Sequence, residues 1–203
     1  YTPQLASGLL GHYKSAVGGG SLYRKASFLV DSLETKVFPE FMHLYERPFI
    51  VQGAGSAAYD GEGVATQERD IVKDGVVQTY LLGSYSARKL GMQTTGHASG
   101  VHNLTAHSTG QNYQEMLALM DTGLLLTGLI GSGINGITGD YSRGAIGFWV
   151  EGGEIQYPVE EITIAGNLKQ MFRDIVAVGT DWDKRISTRT GSILIEKMMI
   201  SGE

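Results

Sequence analysis

Residues 123–166 read GLLLTGLIGSGINGITGDYSRGAIGFWVEGGEIQYPVEEITIAG. Gly123–Ile130, Gly144–Glu151 and Glu154–Ile164 are short runs rich in β-branched, aromatic and aliphatic residues, so each reads as a strand. Gly152-Gly153 between the last two supplies the positive φ angles of a tight turn. The run also contains Gly131-Ser132-Gly133-Ile134-Asn135-Gly136, which fits G-x-G-x-x-G after an apolar strand. A dinucleotide site needs a helix directly after that pattern, because the helix N-terminus holds the pyrophosphate. Here the strand-like Phe148-Trp149-Val150 follows, with more glycines before it, so the pattern is read as a glycine-rich turn.

Upstream, Thr2-Pro3 reads as a helix start, with Thr2 as N-cap and Pro3 at the first helical position. Leu5, Leu9, Tyr13 and Ala16 recur at helical spacing to about Val17, and Gly18-Gly19-Gly20 is expected to end the helix. Val37–Tyr45 is rich in β-formers, with Pro39 marking an edge strand or bulge. Residues 53–63 read as a loop. Asp74-Gly75 between Asp70–Lys73 and Val76–Leu81 is the strongest hairpin signal in the chain. Ser84–Leu90 reads as a helix capped by Ser84 and stopped by Gly91, and Gln111–Met120 as another. Asn167 is expected to cap a helix running to about Val176, and Ser192–Ile200 to close as a strand. Together these predict an α+β fold, mostly antiparallel sheet with a few short helices.

The 203 residues include 42% hydrophobic and 18% charged residues, as in a folded globular chain. Net charge is −5 and no Lys/Arg cluster exceeds two adjacent residues, which argues against a nucleic-acid surface. There is no cysteine, so this chain supplies neither a thiolate nucleophile nor a Cys zinc ligand. Leu124–Ile130 is the longest apolar stretch and is too short to span a bilayer. No signal peptide is read at the start. A chain opening on Tyr1 rather than Met is read as a piece of a longer protein.

No P-loop, G-x-S-x-G elbow, H-E-x-x-H or H-x-x-x-H occurs. His97, His102 and His107 recur at intervals of five and converge only if loop geometry brings them together. Asp140-Tyr141-Ser142-Arg143, Glu160-Glu161, and Asp181 with Asp183 are candidate acid–base groups, although such acidic pairs are more often solvated.

The run Ile134–Val150, continuing through Phe172, is similar to the PmbA branch of the TldD/PmbA family. Arg24–Leu29 and Asp60-Gly61-Glu62-Gly63 resemble it too, and the likeness covers nearly the whole chain. The resemblance implies that residues 1–203 are a single C-terminal domain of a two-domain, cytoplasmic protein whose N-terminal domain lies outside this chain. The family includes peptide-maturation proteases and proteins described as modulators of DNA gyrase. Its metal-bearing branch, TldD, carries H-E-x-x-x-H on a helix near the start of this domain and a cysteine ligand near its end. That branch cleaves unfolded peptides in company with a PmbA-like (TldE) subunit. The corresponding stretch here is Ser7-Gly8-Leu9-Leu10-Gly11-His12. Ser7 stands at the first ligand position and Gly8 at that of the general base, so only His12 remains.

One imidazole cannot hold a catalytic zinc. The expectation is a chain with no catalytic, cofactor or metal residues of its own, a zinc-bearing TldD-like partner, and an extended or unfolded peptide as substrate, with homo-oligomerisation left open. Two alternatives stay open beside it. One is a metallopeptidase active by itself through ligands such as His97, His102 and His107. The other is an interaction protein that modulates DNA gyrase.

Overall fold

The computed structural model describes residues 1–183 and 185–202. In chain order the elements are α1 (Pro3–Ala16), α2 (Gly19–Tyr23), β1 (Leu44–Glu46), β2 (Arg69–Lys73), β3 (Val76–Val77), α3 (Ser84–Leu90), β4 (Leu104–Ala106), α4 (Tyr113–Met120), β5 (Gly123–Ile134), β6 (Asp140–Glu151), β7 (Glu154–Asn167), α5 (Leu168–Arg173), β8 (Ile175–Val178), β9 (Thr188–Arg189), β10 (Ile193–Ile195) and β11 (Met199–Ser201). They form a five-stranded sheet in the order β3-β2-β1-β4-β9, a β10-β8 pair, and a four-stranded sheet in the order β11-β7-β6-β5. All pairings are antiparallel except β4 with β9, so the α+β expectation holds.

The three strands read from residues 123–166 are present and longer than their apolar runs. β5 continues into the G-x-G-x-x-G residues as far as Ile134, and β6 begins at Asp140. No helix follows the glycines. Gly131 takes φ 78°, and a Cβ on Gly133 would collide with the Ser142 carbonyl. Gly131 therefore serves a backbone turn of positive φ, and Gly133 the close approach of two strands.

Several local expectations need correction. Thr2 is the N-cap residue of α1 but its side chain makes no capping bond. The glycine run opens α2 rather than only ending α1, because Gly19 lies against Ser86 of α3, where any Cβ would clash. Val37–Tyr45 contributes only its end to β1, and Pro39 lies in a turn where its carbonyl accepts from Met42 N (3.0 Å). Asp74 (φ 52°) and Gly75 (φ 75°) form the expected hairpin turn, but β3 stops at Val77. Gly83, not Ser84, caps α3, and the Glu62 carboxylate accepts the Ser84 N–H instead. α5 ends at Arg173, and Ile175–Val178 is strand. Ser192–Ile200 splits into β10 and β11, which belong to different sheets.

One core joins the parts. Leu9, Leu10 and Tyr13 of α1 pack in the same buried cluster as Leu44, Ile71 and Leu104 of the five-stranded sheet and Tyr141, Ala145 and Ile164 of the four-stranded one. Phe172 sits at its centre, with ring centroids 4.9 Å from Phe38 and 6.1 Å from Tyr13. Offset and edge-on aromatic contacts of this kind add to the burial of the rings themselves. A smaller cluster of Leu117, Leu125 and Val150 lies under α4, whose start is fixed by an Asn112/Glu115 capping box. Phe172→Ala removes a fully buried ring and is expected to cost about 3–5 kcal/mol, measured as the shift in the denaturant unfolding midpoint at constant slope.

Candidate functional site

The stretch Ser7–His12, which the resemblance sets against the family's metal motif, lies on α1. The apolar stripe of this helix faces the core, which turns Ser7, Gly8, Gly11 and His12 away from its centre. A Cβ at Gly8 or Gly11 would meet nothing within 4 Å, so both glycines face open space. His12 stands edge-on to Tyr141 of β6, with ring centroids 6.1 Å apart. Partial burial pushes its imidazole below the usual histidine range, and the Arg143 guanidinium pushes it further. Zinc, the metal the resemblance implies for the family, needs three or four N, S or O donors. The neighbours of His12 do not fit it. Ser7 and Gly8 offer neither an imidazole nor a carboxylate, and the nearby charge is a cation that would repel the metal. Among the described residues no group of three His, Cys, Asp or Glu side chains is placed to hold a metal ion.

The three histidines at intervals of five do not converge. His97 and His102 meet, but on a carboxylate. Glu46, only 2% exposed, accepts from His97 Nε2 at 2.9 Å. It also accepts from the His102 backbone N–H at 2.5 Å and stands 3.1 Å from His102 Nδ1. His107 lies elsewhere, stacked on His43 at 6.4 Å, and His43 Nε2 is 2.7 Å from Asp70 Oδ1.

Thr95, His97 and Glu46 line up like a hydroxyl–imidazole–carboxylate triad, with Thr95 Oγ1 2.8 Å from His97 Nδ1. That hydroxyl is committed to structure. It accepts the Leu82 N–H at 2.8 Å and lies 3.0 Å from the Tyr80 carbonyl. With His97 only 5% exposed, the row has no open face for a substrate. It is a pin that ties residues 95–102 to β1.

Nearby polar side chains act alike. Asp60 accepts from the backbone N–H groups of Glu62, Val64 and Ala98. Fully buried Asn103 bonds Gly55 N, Ser56 Oγ and the Arg47 carbonyl. Sequence reasoning missed Glu46 as the hub, because its partners lie more than fifty residues away and no local spacing marks them.

The other acidic candidates are also in structural roles or in solvent. Asp181 accepts from Ser192 N and Oγ, and Asp183 pairs with Arg185 at 2.8 Å. Glu160 and Glu161 are exposed on β7. Asp140 bonds Thr138 and Asn167. Among the described residues no helix is long and apolar enough to cross a membrane.

The fold defines a β-rich α+β domain whose first helix carries a single histidine, His12. The description of the PmbA/TldA metallopeptidase C-terminal domain matches residues 1–202, and the chain belongs to that family. It is 52% identical to the metalloprotease PmbA of Escherichia coli O157:H7 over 203 residues, which is all of this chain and 45% of that protein. It is also 52% identical to the PmbA homolog of Haemophilus influenzae over 199 residues, 98% of this chain and 44% of that one. The chain thus spans less than half the length of these relatives. Its structure is similar to that of a candidate modulator of DNA gyrase from Bacteroides thetaiotaomicron, with TM-score 0.95, 34% identity, and coverage of 100% of this chain and 46% of the other. TldE from Thermococcus kodakarensis shares the fold at TM-score 0.79 and 22% identity, over 95% of this chain and 48% of that one.

Burial alone would raise the Glu46 carboxyl, but the hydrogen bonds and charge of His97, then those of His102, outweigh it and hold the group below the usual glutamate range. A carboxyl lowered on folding contributes stability that is fully present above its unfolded value, near 4.5, and lost as the pH falls through the folded value. The parent should therefore lose stability relative to Glu46→Gln as unfolding is followed from about pH 6 to about pH 3. Acid-unfolding profiles of parallel slope would contradict the assignment. At neutral pH His97→Ala, which strips the buried carboxylate of a partner, should cost about 3–5 kcal/mol.

Proposed function

We propose that this chain is the C-terminal part of a non-catalytic, PmbA/TldE-type subunit of a peptide-cleaving metalloprotease, whose zinc is carried by a TldD-like partner. One observation carries the reading. On the helix where the family's metal branch places its zinc ligands, this chain offers a lone imidazole beside an arginine. With Gly8 at the position of the general base, nothing on α1 activates a water for amide hydrolysis. The divergence of His107 from His97 and His102 weakens the alternative of a self-sufficient metallopeptidase built on those residues.

In this reading the subunit helps to form the chamber and holds unfolded peptide in extended form, a mode of recognition that uses free sheet edges. The assembly works in the cytoplasm, and this chain contributes the half of its protein that follows a separate N-terminal domain. The test is reconstitution with an unfolded peptide, comparing the intact protein alone, a TldD-like subunit alone, and the two together. The reading predicts cleavage that requires the metal-bearing subunit and disappears when that subunit's zinc-helix glutamate is replaced by glutamine. Chelator-sensitive cleavage by the intact protein alone would overturn it.

A further inference from the structure

The G-x-G-x-x-G pattern ends on Asn135-Gly136, and this dipeptide lies in the turn that joins β5 to β6. The chain has four asparagines, and only this one is followed by glycine. The backbone nitrogen after an asparagine can attack the side-chain amide carbon, and a glycine there, lacking Cβ, leaves that nitrogen unhindered.

The local structure favours the attack. Asn135 is exposed, and its Oδ1 accepts from the backbone N–H groups of Ile137 at 2.9 Å and Thr138 at 3.3 Å. An Asx turn of this kind folds the side chain forward along the main chain, towards the nitrogen of the next residue. The same two donors point at the oxygen on which negative charge builds when the amide carbon becomes tetrahedral, as in an oxyanion hole. The Gly136 N–H has no hydrogen-bond acceptor among the described residues, and a Cβ on Gly136 would meet nothing within 4 Å. The nucleophile is therefore uncommitted and open to water. Comparable groups elsewhere are blocked. Asn103 is buried, and Asn112 and Asn167 cap helices. In Asp74-Gly75 the glycine N–H is donated to the Met42 carbonyl at 3.0 Å. In Asp60-Gly61 the carboxylate is 4% exposed and held by three backbone N–H groups.

We infer that Asn135-Gly136 is a site of self-modification, at which the folded turn converts its own side-chain amide into aspartate and isoaspartate. The Gly136 nitrogen, having lost its proton to solvent, forms a bond to Asn135 Cγ. The Cγ–Nδ2 bond breaks, and ammonia leaves after taking up a proton. Water then opens the five-membered imide. Attack at Cγ gives aspartate, and attack at the main-chain carbonyl carbon gives isoaspartate. One water is consumed, one ammonia is released, and nothing is oxidised or reduced.

In the isoaspartyl form the main chain runs through Cβ and Cγ of residue 135, and its former main-chain carbonyl becomes a free carboxylate. Two hydrogen bonds of the turn depend on the original path. Gly139 N donates to the Asn135 carbonyl at 2.8 Å, and Phe28 N to the Gly136 carbonyl at 3.0 Å. Phe28 is 4% exposed, and its ring centroid lies 6.2 Å from that of Phe172. The modification thus loosens the tie between the hairpin tip and the core segment at Phe28. It also adds a negative charge beside Asp140, which shares Thr138 as a donor with the Asn135 side chain.

The intact protein would be incubated at mildly alkaline pH beside a synthetic peptide of residues 130–141. Peptide mapping by mass spectrometry reads the amide-to-acid mass gain. Isoaspartate is counted with an isoaspartyl O-methyltransferase and a radiolabelled methyl donor. Conversion is expected at Asn135 ahead of the other three asparagines, within about tenfold of the peptide's rate, since the turn positions the reacting atoms. Gly136→Ala is expected to slow it roughly tenfold, because the Cβ crowds the attacking nitrogen and narrows its backbone angles. The unfolding midpoint of that variant should stay that of the parent, as its Cβ meets nothing. Hydrogen exchange at the Phe28 amide should quicken as isoaspartate accumulates. An Asn135 that stays intact in the folded protein after the peptide has largely converted would overturn the inference. So would a Gly136→Ala protein that converts as fast as the parent, or Phe28 exchange that isoaspartate leaves unchanged. None of these readouts involves peptide cleavage, so this site and the subunit reading fail separately.

Discussion

The packing of α1 between two sheets is the constraint on which the rest of the structure depends. Its apolar stripe, Ala6, Leu9, Leu10, Tyr13 and Ala16, is buried, and through it the five-stranded and four-stranded sheets share one core. An amphipathic helix so placed has a buried side fixed by packing and a second side that is free to vary. On the free side stand Ser7, Gly8, Gly11 and His12. Substitutions on that side leave the shared core untouched.

Glu46, His97, His102, Asp60 and Asn103 are buried and satisfied by one another or by backbone. They hold long irregular segments in place where no regular strand is available.

Much of this was legible in the residues, and the parts that were not fail for definite reasons. The long strands were visible because β-branched and aromatic residues and the Gly152-Gly153 turn agree with one another. Their ends were not, because Gly133 meets the Ser142 carbonyl and Gly131 takes a positive φ, demands that β-propensity does not register. The glycine run at 18–20 hid a helix, since the demand there is the contact between Gly19 and Ser86, a tertiary constraint that overrides propensity. Residues 192–200 looked continuous because nothing local marks a change of sheet between Ile195 and Met199. The reading of Ser7–His12 as a degenerate metal motif rests on the family resemblance and on no local spacing. The hub at Glu46 was not legible, since it joins β1 to a segment half a hundred residues downstream.

The account turns on whether this chain carries a catalytic metal, and zinc content decides it most directly. The intact protein, purified without an affinity tag and gently desalted, would be assayed by elemental mass spectrometry. The account predicts zinc far below one atom per chain for this protein and close to one for a TldD-like subunit handled in the same way. Near-stoichiometric zinc that is lost when His12, His97 or His102 is replaced by alanine would contradict it.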